Sequence, residues 1–242
     1  MKTPLPRVLS LCALACCLTL ALPTRAATEV DNVEVGVAAL QRGHYATAMR
    51  AWQTAADQGN PKAQTNIGYL HEQGLGVPQS YVEAMAWYRK AAAKNEPNAM
   101  FNIGTLYSYG YGVERNPREA LSWFNQAAKH NLPEAQYMLG QAYYEGVGTP
   151  ANAALALEWF EKSARQGYAP GQMMTAQVYL SGDAGKSDPY KAYAWSELAV
   201  RNGRIEAGLI KDYASYKLSR KAIEQATQEA QRCQQTAYRQ CL

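Results

Sequence analysis

AMFNIGTLYSYGYGVERNPREALSWFNQAAKHNLPE, residues 99–134, decides the fold. Ala99, Ile103, Leu106 and Tyr107 fall at i, i+4, i+7 and i+8, which predicts a helix with one apolar face. The glycine-rich stretch Gly110 to Val113 ends that helix. Asn116-Pro117 then reads as a cap followed by proline at the first helical position. Ala120, Trp123, Phe124 and Ala127 form the apolar face of the second helix, and His130-Asn131-Leu132-Pro133 turns the chain onward. Gly104, Ala120 and Ala127 are small enough to let helices approach closely, and Trp123 is expected to fill the space between neighbouring pairs. A lone helix pair cannot bury both faces, so the pattern demands neighbours of its own kind.

Those neighbours are in the chain. Tryptophans stand at 87, 123, 159 and 195, a constant step of 36 residues. The same step links Ala63, Ala99, Ala135, Gly171 and Ala207, and also Gly68, Gly104 and Gly140. It links Gly74, Gly110, Gly146 and Gly182, and Ala48, Ala84, Ala120, Ala156 and Ala192. Chance does not keep so many registers together, so the repeat outranks any local motif. Four full units are expected at 63–98, 99–134, 135–170 and 171–206. A shorter unit at 27–62 turns tightly at Gly43-His44-Tyr45. Two more helices follow within 207–242, near Glu206–Lys217 and Ser219–Gln234. The last has a thin stripe of Ala222, Ile223, Ala226, Ala230 and Cys233 among polar faces, as suits a capping helix. The expected fold is therefore all-α, a solenoid of helix-turn-helix units closed by a cap.

The pattern A-x-x-x-[IL]-G-x-x-Y-x-x-G-x-G-V, then A-x-x-W-[YF]-x-x-A-A, resembles Sel1-like repeats, relatives of tetratricopeptide repeats. It recurs from Ala63 as AQTNIGYLHEQGLGVPQSYVEAMAWYRKAA, with His71 in the tyrosine place. The short first unit looks more like a tetratricopeptide unit. The resemblance covers roughly residues 36–208 and implies a right-handed α-solenoid that serves as a protein–protein scaffold, often in bacterial envelopes. Two departures stand out. The fourth loop reads SGDAGKSDPYKA, with Ala184 for the second glycine, and Gly171 replaces the leading alanine. The repeats also contain no cysteine. The cysteine-rich members of this family, some linked to penicillin binding or β-lactam hydrolysis, have a disulfide in each repeat, so that activity gains little support here.

Outside the repeat, residues 1–26 read as an export leader. Lys2 and Arg7 precede a 15-residue uncharged run from Val8 to Leu22, and Pro23 and Thr24-Arg25-Ala26 offer cleavage after Ala26. The run is shorter than a spanning helix and polar chain follows, so no stable membrane insertion is expected after cleavage. A lipoprotein signal at Cys16 or Cys17 is the rival, but the apolar run continues past both. The whole chain has 242 residues, 24 Lys+Arg and 20 Asp+Glu. Removing the leader leaves 21 bases and 20 acids, a net charge of +1, and only Cys233 and Cys241 of five cysteines. Near-zero, interleaved charge and export argue against a nucleic-acid partner. Two cysteines in a periplasmic or secreted chain suggest one disulfide. Eight residues of continuous helix would hold them about 12 Å apart, beyond the roughly 7 Å a bridge tolerates. The helix must then end between them.

No catalytic constellation emerges, and no metal or cofactor is expected. Gly185-Lys186-Ser187 matches the end of a phosphate-binding loop, but its leading glycine position holds Leu180 and no strand precedes it. The paired loop glycines recur in register and are turns, not nucleotide cradles. His44, His71 and His130 form no ligand motif. There is no G-x-S-x-G and no S-x-x-K, and Glu72, Glu114, Glu145 and Glu158 are placed on solvated positions. What remains is a surface. First helices of such stacks line the concave face, and their open side is expected to present Thr65, Asn66, Tyr69, Glu72, Phe101, Asn102, Thr105, Tyr137, Gln141, Tyr144, Met173 and Gln177. Aromatic and amide side chains in a row suit contact with a protein or peptide. The function expected is a non-catalytic envelope scaffold binding one or more proteins or peptides. The alternatives are an envelope hydrolase of peptidoglycan or β-lactams, and a glycan-binding module.

Overall fold

The computed structural model describes residues 25–241. The expected leader lies outside them but for its last two residues. Twelve helices and no strand occur among the described residues. They are α1 (Arg25–Gln41), α2 (Tyr45–Asp57), α3 (Pro61–Gln73), α4 (Tyr81–Ala92), α5 (Pro97–Tyr109) and α6 (Pro117–Lys129). Then come α7 (Pro133–Glu145), α8 (Ala153–Ala164), α9 (Ala169–Ser181), α10 (Pro189–Arg201), α11 (Ala207–Ser215) and α12 (Arg220–Gln235). Each odd-numbered helix through α9 packs on the helix that follows it, and each even-numbered one through α10 packs on the next unit's first helix. This is a solenoid of helix pairs. No helix among the described residues is long and apolar enough to cross a membrane.

The local chemistry repeats with the units. Asn60, Ser80, Asn116, Asn152, Asp188 and Ser219 cap helix starts by accepting from the backbone N–H three residues on. First helices end on a left-handed glycine at Gly74, Gly110, Gly146 and Gly182, a conformation that side chains with a Cβ resist. The second loop glycine has another task. A Cβ at Gly112 would lie 2.6 Å from Tyr81 Cβ, and one at Gly148 would lie 2.6 Å from the Pro117 carbonyl oxygen. Each loop thus rests on the start of the preceding unit's second helix. These glycines are inter-unit contacts.

The core differs from the expectation in one respect. Trp87, Trp123 and Trp159 are only half-buried, and Lys90 and Lys162 lie over the Trp87 and Trp159 rings at 4.0 Å. Trp87 packs on the cluster formed by α1 to α3, so it does meet its neighbouring unit, but at the rim. The fully enclosed ring is the next residue: Tyr88, Phe124 or Phe160. Each sits on a glycine of its own first helix. A Cβ on Gly68 would meet Tyr88 at 2.6 Å, on Gly104 Phe124 at 2.7 Å, and on Gly140 Phe160 at 2.4 Å. In the short first unit the pair is Gly36 and Trp52.

Two further expectations are corrected. Thr65 is buried, its hydroxyl donating to the Pro61 carbonyl at 2.9 Å, so it does not belong to an open surface. Glu72 is half-buried and accepts from the Tyr88 hydroxyl at 2.6 Å, so it is not a solvated acid. Burial, and then the Glu72 charge, push the Tyr88 hydroxyl well above the usual phenol range. The departure at Gly171 has a packing cause. Elsewhere the column holding it is alanine facing alanine, as in Ala135 and Ala127, but here the facing residue is Ser163. A Cβ at Gly171 would lie 2.5 Å from the Ser163 hydroxyl, so the two substitutions compensate.

Candidate functional site

The first helices α7 and α9 touch each other directly, and so do α9 and α11. That is the packing expected of the layer inside a curved stack. Along this layer the structure exposes Tyr69 and leaves Asn66, Phe101, Asn102, Thr105, Tyr137, Gln141, Tyr144, Met173 and Gln177 half-exposed. All ten are therefore reachable, but they are not equally free. Phe101 leans on Phe124 at 5.6 Å between ring centroids, and Tyr137 lies between Phe160 at 5.9 Å and Tyr168 at 5.7 Å. The Thr105 hydroxyl donates to the Phe101 carbonyl at 3.1 Å. Tyr144 donates to Asp183 Oδ2 at 2.5 Å across the unit boundary.

Two hollows open along these helices. One of about 320 Å³ lies between α5, α6 and α7, with a floor of Leu121, Phe124 and Met138 and a rim that includes Tyr109, Arg115, Gln141 and Glu145. It exists because the repeat changes there. The preceding boundary is filled by stacked rings, Tyr81 on Tyr111 at 4.9 Å and Tyr111 on Tyr109 at 5.4 Å. One unit later the same columns hold Pro117, Val147 and Glu145, and the rings are gone. The other hollow, about 380 Å³, lies between α9 and α11.

The chemistry of the row is that of contact. The shifted groups all move away from neutral pH. Hydrogen bonding to Asp183, with burial, raises Tyr144, and that same bond lowers Asp183. Burial raises Tyr137, Tyr168 and Tyr179. Among the described residues no three His, Cys, Asp or Glu side chains gather as a metal site. His71 is half-buried with Nδ1 unpaired, which is a packing position and not a ligand set.

A model of the Sel1 repeat matches residues 61–96, 97–132, 133–168 and 169–203. The chain belongs to the Sel1 repeat family. A Sel1 repeat protein from Oxalobacter formigenes is 32% identical, with TM-score 0.69, over 77% of this chain and 80% of its own. The protective antigen c5321 of uropathogenic Escherichia coli, which displays the same type of fold, is 24% identical with TM-score 0.54 over 87% of this chain and 55% of its own. The immunity protein Pa5087 of Pseudomonas aeruginosa is similar in fold alone, 17% identical with TM-score 0.52 over 91% and 85%. No curated protein matches the chain significantly. Sel1 repeats are in general non-catalytic and serve protein interactions.

Reading single units misses one region. Ile205, Leu209, Tyr213 and Tyr216 at the C-terminal end are large, apolar and strongly exposed. Their signal is in the sequence. One more step of 36 carries Phe101, Tyr137 and Met173 to Leu209, and Thr105, Gln141 and Gln177 to Tyr213.

Proposed function

We propose that the chain is an exported, non-catalytic scaffold that holds a partner protein or peptide along its first helices. The observation that carries this reading is the row itself. Four successive first helices present half-exposed aromatic, amide and methionine side chains, with hollows between them large enough for a partner's side chain. Aromatic rings give contact area at low conformational cost, and a floor such as Phe124 and Met138 rewards burial of an apolar anchor.

The leader at 1–26 supports export, and a disulfide supports an oxidising compartment. Cys233 and Cys241 are joined with their Cα atoms 4.7 Å apart. The chain turns back after α12 through left-handed residues at Ala237 and Tyr238. N-terminal sequencing of the chain from a cell-envelope fraction should begin at Ala27. Crosslinking in the envelope, followed by purification, should recover a defined partner, and Tyr69→Ala with Tyr137→Ala and Tyr144→Ala should reduce that recovery. Equal recovery by the triple variant would remove the row as the binding surface. Turnover of a chromogenic β-lactam by the purified chain would favour the hydrolase instead.

A further inference from the structure

The C-terminal end of the stack is an unfinished unit. In register with the repeat, α11 is a sixth first helix after α1, α3, α5, α7 and α9, nine residues long where α9 has 13. Gly203 has the same left-handed backbone as Gly59, Asn95, Asn131 and Gly167, each 36 residues apart. The Arg204 amide bonds to Ala199 as the Glu96 amide bonds to Ala91. Ala207 and Ala214 are fully buried in the places of Ala99 and Leu106. The second helix of this unit is missing. Every other turn from a first to a second helix contains a left-handed glycine, from Gly43 to Gly182. The turn from α11 to α12, Tyr216 to Ser219, contains none. Without that reversal α12 does not lie along α11. It packs on α10 through Ala226, Ala230 and Cys233.

The face left open is defined by the other units. Leu209 stands in the column of Phe101 and Tyr137, which touch the aromatic ring of their own second helix. Tyr216 stands in the column of Glu72, which bonds to its own second helix. Leu209 is 69% exposed, Tyr213 66% and Tyr216 85%. Beside them the hollow between α9 and α11 is lined by Met173, Met174, Leu180, Leu209, Ile210 and Tyr213, with Glu206 at its edge. Asp212 occupies the column of Gly68, Gly104 and Gly140, where the second helix sets its aromatic ring. It is exposed and has no ion pair among the described residues.

We infer that this face of α11 takes an amphipathic helix of a partner protein, with a basic side chain over Asp212. The helical shape follows from what every other first helix carries there. The basic residue follows from charge complementarity to Asp212, where the chain's own second helices use a ring against glycine; Glu206 at the edge is already paired with Arg204 at 3.7 Å. The site continues the columns of the row onto α11 and shares Met173 and Gln177 with it, so it rests on the reading that these helices hold a partner.

The test uses labelled synthetic peptides and the purified chain in fluorescence anisotropy. One peptide copies residues 116–130, which include α6. A second carries Phe124→Lys, and a third is its scramble. The Phe124→Lys peptide should bind at least tenfold more tightly than the scramble and more tightly than the parent. Leu209→Ser with Tyr213→Ser should weaken it tenfold or more, and Asp212→Asn should remove its advantage over the parent. These residues are exposed, so unchanged thermal melting will show that the variants fold. Val82→Ser, exposed on α4 and outside the row, should leave peptide binding unchanged, whereas loss of binding on Tyr69→Ala with Gln141→Ala would place the peptide in the row and overturn the inference. Equal binding of all three peptides, no binding at all, or binding indifferent to the α11 substitutions would each overturn the inference. So would sedimentation showing a dimer of the chain that Leu209→Ser and Tyr213→Ser dissociate, which would assign the face to a second copy.

Discussion

In the three units from Pro61 to Tyr168, a glycine of the first helix faces an aromatic ring of the second. In the fourth, the same two columns hold Ala176 and Ser196, both fully buried. Ser196 turns its hydroxyl to the Tyr193 carbonyl at 2.8 Å, and the ring that packs near Ala176 is the preceding residue, Trp195. Trp195 is fully buried, unlike Trp87, Trp123 and Trp159, because α12 covers α10. The comparison teaches that the ring buried at a helix crossing can come from either of two adjacent residues, with the facing column enlarged when the ring moves. It also shows that a unit at an end is repacked by its cap.

The largest effect should come from breaking this pair in the middle of the stack. Phe160→Ser should cost about 3–5 kcal/mol in denaturant unfolding, the range for emptying a buried aromatic site. Gly140→Ala alone should cost about 1–3 kcal/mol, because its Cβ meets the ring. Together they copy the fourth unit, so the double variant should lose less than the two losses added. Strict additivity would show that the columns are independent.

The disulfide comes next. Cys233→Ser with Cys241→Ser should cost about 2 kcal/mol, the scale for a short closed loop. Stack stability is a sum of neighbour terms. Hydrogen exchange should therefore rise in α12 and the tail while α3 to α8 stay protected. A uniform rise would contradict that.

A smaller effect concerns the tail's polar contacts. Tyr238 covers Gly167, its hydroxyl donates to Asn202 Oδ1 at 2.9 Å, and Asn202 donates to Gln172 at 2.8 Å. Tyr238→Phe should cost about 1 kcal/mol, and Asn202→Ala should cancel any further effect of it.

The smallest effect depends on pH. Burial opposes ionisation of Glu197, but bonds from Arg201 at 2.7 Å and Lys211 at 3.2 Å outweigh it and hold its carboxyl below the usual range. A lowered folded-state pKa means the contribution is complete above the ordinary Glu value near about 4.3. It is lost as pH falls through the lower folded value. Lys211 is on α11 and Glu197 on α10, so exchange in α11 should rise in that acid window. Glu197→Gln should abolish the pH dependence while changing stability by less than about 1 kcal/mol.

Much of this is legible in residues alone. Columns of 36 placed the helix pairs, because period and small residues at fixed offsets leave no other way to bury both faces. The caps at Asn116 and Ser219 and the tight turn at Gly43 follow from local backbone chemistry. The candidate row was legible as columns, though Thr65 and Glu72 were not, since whether a polar side chain is enclosed depends on what crosses it. Trp123 and Phe124 are adjacent and both aromatic, so sequence offers no means of choosing which is enclosed. Gly104 chooses, by making room for only one.

The order of the helices, their pairing, and the family to which the chain belongs were thus settled by the sequence, because they rest on short-range periodicity repeated many times. Only the tertiary structure decided how the two helices after the fourth unit pack. A sixth first helix follows in register, shorter than the 13-residue first helices α3 to α9 and with Lys211 and Asp212 where α5 has Ile103 and Gly104. Its partner turns away because no residue between Tyr216 and Ser219 adopts the left-handed turn, and the chain then finds its burial on α10. That choice left the apolar side of α11 facing solvent.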